Sequence, residues 1–132
     1  MTTIQNKPAK GRTIAYWIFT SLLVLGMLSG AIAQLLRLKA NTDGIIHLGY
    51  PVYVLTILGT WKLAGALVLL LPGFTLLKEW AYAGFFFLMT GAVISHLVSG
   101  DGFTGVIFQI IFVILIVLSW YLRPVNRRIV IS

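Results

Sequence analysis

Gly102–Leu122, GFTGVIFQIIFVILIVLSWYL, runs for 21 residues without one formal charge and ends against Arg123. A helix rises about 1.5 Å per residue, so some 20 apolar residues cross a hydrocarbon core about 30 Å thick. The run shows no period-2 alternation, which disfavours a barrel strand. It reads as a membrane-spanning helix, and the same reading extends outward along the chain. Trp80–Gly100 is a second charge-free run of 21 residues. Between Pro51 and Pro72 lie 20 residues interrupted only by Lys62, and between Arg12 and Arg37 lie 24 without a formal charge.

The expected fold is therefore all-α, an integral membrane bundle of four helices at about 13–36, 52–71, 79–99 and 103–122. Residues 1–12 and 123–132 form basic tails. Composition agrees: 59% of the 132 residues are hydrophobic, 10% are charged, and mean hydropathy is +0.98. A soluble domain usually carries about 25% charged residues, and one this small could not hide so much apolar surface. Residues 37–51, RLKANTDGIIHLGYP, form the one longer connection, with turn chemistry at Asn41–Gly44 and Gly49–Pro51. Pro72-Gly73 and Ser99-Gly100-Asp101-Gly102 mark tight turns that make the second and third spans, and the third and fourth, antiparallel neighbours.

The net charge of +7 does not indicate a nucleic-acid partner. Nine of the ten basic residues flank apolar runs, as membrane anchors do, and no basic stripe forms. With the N-terminus inside, Lys7, Lys10, Arg12, Lys78, Arg123, Arg127 and Arg128 share its side, against Arg37 and Lys39 outside. That bias predicts cytoplasmic termini in a multi-pass inner (plasma) membrane protein. Ala31-Ile32-Ala33 before Gln34 resembles a signal-peptidase site. The apolar run before it exceeds the usual hydrophobic region of a signal peptide, about 7–15 residues, so the first span is expected to stay attached.

Lys62 stands near the middle of its span, where a charge costs about 2.5–3.5 kcal/mol and normally faces the bundle interior. Gly59, Gly65 and Ala66 on the surrounding turns permit close helix approach. The chain has three acidic side chains, Asp43, Glu79 and Asp101. Two belong to connections about 15 Å from the depth of Lys62, whereas Glu79 is offset by about 9 Å and is the expected ion-pair partner. Side chains lean toward the N-terminus of their own helix. Lys62 and Gln109 therefore also converge on His96 in the outer half, with Gln34 and His47 above them. The plainer reading of His96 and Gln109 is inter-helix hydrogen bonding, and of Lys62 a structural ion pair.

No catalytic constellation is present: no serine or histidine stands in a nucleophile motif, and no phosphate loop opens a helix. With no cysteine and two histidines 49 positions apart, a metal site is not expected, and bis-histidine haem ligation has poor support. Gly26-x-x-x-Gly30 is a packing motif that serves either the bundle or a dimer.

HLGYP at 47–51, WKLAGAL at 61–67, LLLP at 69–72, LKEWAYAG at 77–84 and SHLVSGDG at 95–102 together resemble the DoxX-like family. The resemblance implies a four-helix bacterial inner-membrane protein with Lys62, Glu79, His96 and Asp101 as recurrent polar positions. The wider DoxX/DoxD group includes a subunit linked to quinone-dependent sulfur oxidation. The expected role is an accessory or anchor subunit in the lipid bilayer that binds a small hydrophobic ligand such as a quinone or anchors a redox partner, with a homo-oligomer or a redox protein as the alternative partners. As an isolated chain it is not expected to catalyse, and the resemblance implies at most a subunit of a quinone-linked oxidoreductase. The alternative expectation is a small transporter or channel with Lys62, Glu79 and His96 along its path, although the chain lacks inverted repeats and broken helices.

Overall fold

The computed structural model describes residues 10–124, which form five helices. They are α1 (Lys10–Leu35), α2 (Lys39–His47), α3 (Tyr53–Leu70), α4 (Thr75–Val98) and α5 (Phe103–Tyr121). All but α2 are long and apolar enough to cross a membrane. Positions 1–9 and 125–132, which hold most of the two expected tails together with Lys7, Arg127 and Arg128, lie outside the described residues.

The four long helices close into an up-and-down ring. α1 packs against α3 and α5, and α4 packs against α5 and α3, so α1 and α4 face each other diagonally. Each helix buries one stripe at i, i+3, i+4 spacing: Tyr16, Thr20, Leu23, Met27 and Ala31 on α1, and Leu55, Gly59, Ala66 and Leu69 on α3. Leu23, Val24, Met27, Ala66, Leu69, Tyr82, Phe85, Met89 and Ile116 make the continuous apolar core. The outward faces are apolar as well: Phe87 is 70% exposed and Phe108 72%. Such a surface suits lipid and would aggregate in water.

Between helices that already sit among lipid tails, close packing rather than the hydrophobic effect supplies cohesion. Gly59 shows how. A Cβ there would come within 3.1 Å of the Ala31 carbonyl oxygen and 2.8 Å of Leu35 Cγ, so only glycine lets α3 lie this close to α1. The two GxxxG glycines are also used inside the bundle, Gly26 beneath the Phe112 ring of α5 and Gly30 facing Lys62 of α3. Gly65 lies beneath Phe85 of α4.

Two features depart from the sequence reading. Asn41–Gly44, expected as a turn, lies within α2, where Lys39 and Asp43 pair at 3.0 Å one helical turn apart. Ile45 buries that short helix against the bundle, and tertiary burial outweighs local turn chemistry. The third spanning helix begins at Thr75 rather than at about 79, so Lys78 and Glu79 stand within its first turns. Lys78, expected as an interfacial anchor, is 1% exposed. Its ammonium donates to the Leu71 carbonyl and, at 2.6 Å, to that of Gly73. A cation at the start of α4 is thus held by backbone carbonyls of the turn that follows α3.

Both ends of the described chain meet at one end of the bundle, where Arg12 donates to the Tyr121 carbonyl at 2.8 Å. The α3–α4 turn shares this termini end, and α2 with the α4–α5 turn closes the opposite, α2 end.

Candidate functional site

Each spanning helix places one polar side chain on its inward stripe in the half nearer α2. Gln34 follows Met27 and Ala31 on α1, and Lys62 lies between the buried Gly59 and Ala66 on α3. His96 lies two turns beyond Met89 on α4, and Gln109 falls between Val106 and Ile116 on α5. The inward stripe is the physical reason these four can approach, since residues three, four and seven apart share a helix face.

Two left-handed glycines complete the network. Gly49 (φ 88°) ends α2, and the Tyr50 N–H returns to the Ile45 carbonyl at 3.1 Å. Gly100 (φ 87°) ends α4, and the Asp101 N–H returns to the His96 carbonyl at 2.9 Å. Both are six-to-one helix terminations, which turn the following side chain back over the helix. Tyr50 consequently meets Ser95 (Oη–Oγ 2.7 Å), and Asp101 folds over His96.

Asp101 lies between the two histidines. His96 Nδ1 is 2.7 Å from Asp101 Oδ2, and His47 Nε2, carried by α2, is 2.8 Å from Oδ1. Hydrogen bonds from His96 and His47 hold the Asp101 carboxyl below its ordinary range. A carboxylate only accepts, so His96 donates from Nδ1, and its Nε2 is left to accept from the Gln109 amide at 3.4 Å. His47 is half-exposed at 53%, whereas His96 and Asp101 are 20% and 23% exposed. The chain of contacts therefore runs from the surface inward.

Deeper in, the side-chain oxygens of Gln34 and Gln109 are buried without a hydrogen-bond partner among the described residues. Lys62 likewise has no ion pair or hydrogen bond among them, and its Nζ would stand 3.5 Å from a Cβ on Gly30. The expected Lys62–Glu79 pair does not form. Glu79 is paired with Arg123 and accepts from Trp120 Nε1 at 3.1 Å, because the early start of α4 sets it at the termini end facing α5. The Arg123 guanidinium also stacks over the Trp120 ring, 4.9 Å from its centroid.

Lys62 and Glu79 line different cavities. Lys62 borders a pocket of about 500 Å³ between α3 and α4, walled by Trp61, Gly65, Trp80, Phe85 and Phe87. Trp61, Trp80 and Phe87 are each more than 60% exposed, so its mouth opens on the side of the bundle. Glu79 borders a smaller one of about 290 Å³ between α4 and α5. Among the described residues no group of three His, Asp or Glu side chains is arranged to hold a metal ion.

Sequence reasoning named Gln34, His47, Lys62, Glu79, His96 and Gln109, set Asp101 aside as a partner for Lys62 while keeping it as a recurrent family position, and missed Tyr50 and Ser95. The usable signal was glycine at positions 49 and 100, each directly before the residue it redirects. It also missed a hydroxyl cluster at the termini end. Thr20 and Ser119 lie 2.6 Å apart, and Tyr82 reaches Ser119 at 2.8 Å.

Compared with known proteins, the chain matches a family model over residues 18–119, from early α1 to late α5, and that model describes the DoxX-like family. No curated protein and no solved structure matches it.

Proposed function

The chain belongs to the DoxX-like family, and from that premise we propose that this small multi-pass membrane protein is an accessory subunit that binds a hydrophobic ligand between α3 and α4. The observation that carries the reading is the pocket of about 500 Å³ with Lys62 in its wall. Ligand sites commonly measure about 300–1,000 Å³, mostly apolar with a few polar groups that fix orientation. An ammonium at mid-depth is such a group, and it suits a ligand that presents an oxygen acceptor, as a quinone carbonyl does. A mouth on the side of the bundle suits a ligand arriving from the bilayer. The accessory role is supported by the lining itself, which among the described residues offers a cavity and one cation: binding and presentation to a redox partner need only these.

A through-path for protons or solutes along Lys62, Glu79 and His96 has less support. Glu79 is engaged by Arg123, and Leu23, Met27, Leu69 and Phe85 fill the interior between the Lys62 level and the termini end. We place the termini in the cytoplasm on the strength of the basic-residue bias.

Mass spectrometry and optical spectra of organic extracts from protein purified in mild detergent test the reading. One hydrophobic molecule per chain is expected. Extracts that contain only bulk lipid in proportion to the detergent micelle contradict it.

A further inference from the structure

The chain has three side-chain carboxylates, and each is already committed. Asp43 pairs with Lys39, Glu79 with Arg123, and Asp101 with His47 and His96. Lys62 therefore stands at mid-depth with no side-chain carboxylate paired to it among the described residues. An ammonium in low-dielectric surroundings is costly unless it is paired. The unpartnered oxygens of Gln34 and Gln109 are dipoles that water can satisfy, but they carry no countercharge. Gln109 stands one turn outward of Phe112, which covers Gly26, and so lies near the level of Gly30 and the Lys62 ammonium. Among the described residues the pocket lining thus carries one cation, Lys62, and no carboxylate, the Asp101 carboxylate lying beyond Gln109 and His96.

We propose that the occupant of the α3–α4 pocket is an acidic amphiphile, a monocarboxylate whose ionised head pairs with Lys62 and whose apolar tail lies between Trp61, Trp80 and Phe87. This rests on the ligand-binding reading above and narrows it from any oxygen-bearing hydrophobe to an anion. Charge complementarity supplies the head, since the ammonium gains a charge-assisted hydrogen bond that an ester or quinone carbonyl matches only weakly. The aromatic wall supplies the tail site, exposed on the bilayer side where an amphiphile already partitions. Gly84 lies in the same wall with open space where a side chain would project, so the pocket is wide enough there to be filled by substitution without a backbone clash.

The test uses the full chain in phosphatidylcholine nanodiscs, with binding read from tryptophan fluorescence. The probes are dodecanoic acid, methyl dodecanoate and a short-chain benzoquinone. The acid should bind about tenfold more tightly than the ester. Lys62→Met should abolish that preference, and Lys62→Arg should keep most of it. Gly84→Leu should lose acid binding while circular dichroism stays helical, which keeps the test decisive if Lys62→Met does not fold. Equal binding of acid and ester, or a preference for the benzoquinone that survives Lys62→Met, overturns the acid assignment and leaves the hydrophobic pocket standing. Failure of all three probes to bind the wild-type chain overturns the pocket reading, and the acid with it.

Discussion

Asp101 is the residue on which the α2 end is organised, because its carboxylate is shared by one histidine from the short α2 and one from α4. Its pKa is lowered by those two hydrogen bonds, and this fixes the sign of a pH effect. A carboxylate held below its ordinary value of 3.8 contributes stability that is fully present above that value and is lost as pH falls through the lower folded one. Thermal midpoints of the detergent-solubilised protein from about pH 7 to 3 should therefore fall on acidification below about 4. Asp101→Asn should begin lower at neutral pH and fall less steeply. An equally steep fall in the variant would place the acid-sensitive group elsewhere. This residue also marks how far the sequence could be read. Polar character at Gln34, Lys62, His96 and Gln109 was legible because each stands alone on an apolar span. Asp101 was set aside by its depth as a partner for Lys62, and only the left-handed Gly100 reveals that it turns back onto His96. Glu79 was misjudged for the complementary reason: its nearest cation, Arg123, follows the last span and is remote in sequence.

Among the elements, α1 and α3 share the most extensive contact, and Gly59 permits their close approach. Gly59→Leu should cost about 1–3 kcal/mol, since the new side chain meets Leu35 and the Ala31 carbonyl oxygen. Gly84→Leu, with nothing within 4 Å of its Cβ position, should stay within about 0.5 kcal/mol of wild type. Unfolding in a series of denaturant-detergent mixtures measures both, and equal losses would remove the close α1–α3 approach as an organising contact. The four long helices were plain in the sequence because length and absence of charge decide them. α2 was not, because Asn-Thr-Asp-Gly carries turn chemistry, and only the burial of Ile45 and the Lys39–Asp43 pair hold it helical. The start of α4 was obscured by Lys78, which reads as a boundary charge until the α3 carbonyls that receive it are seen.

For the molecule as a whole, the bundle divides into a filled half toward the termini, whose apolar packing encloses the Thr20–Ser119–Tyr82 hydroxyls, and a half toward α2 that carries the His47, His96, Asp101 and Gln109 network, with a pocket opening sideways at the level between them. The orientation proposed from the basic bias, with the termini inside, is open to a direct labelling test. Cysteine introduced at Asn41 should react with an impermeant reagent added from the periplasmic side, whereas one at Thr3 should not. Labelling at position 3 would invert the orientation. Helical architecture and the inward polar residues could be derived from sequence, but the pocket could not, since it depends on how far α3 and α4 part around Gly65 and Gly84. Occupancy of this pocket can be read by native mass spectrometry of the intact chain released from nanodiscs, with wild type and Gly84→Leu compared under identical conditions. The expected result is a wild-type species carrying one additional small molecule, absent from the folded Gly84→Leu protein. The same bound mass on both chains, or on neither, would contradict it.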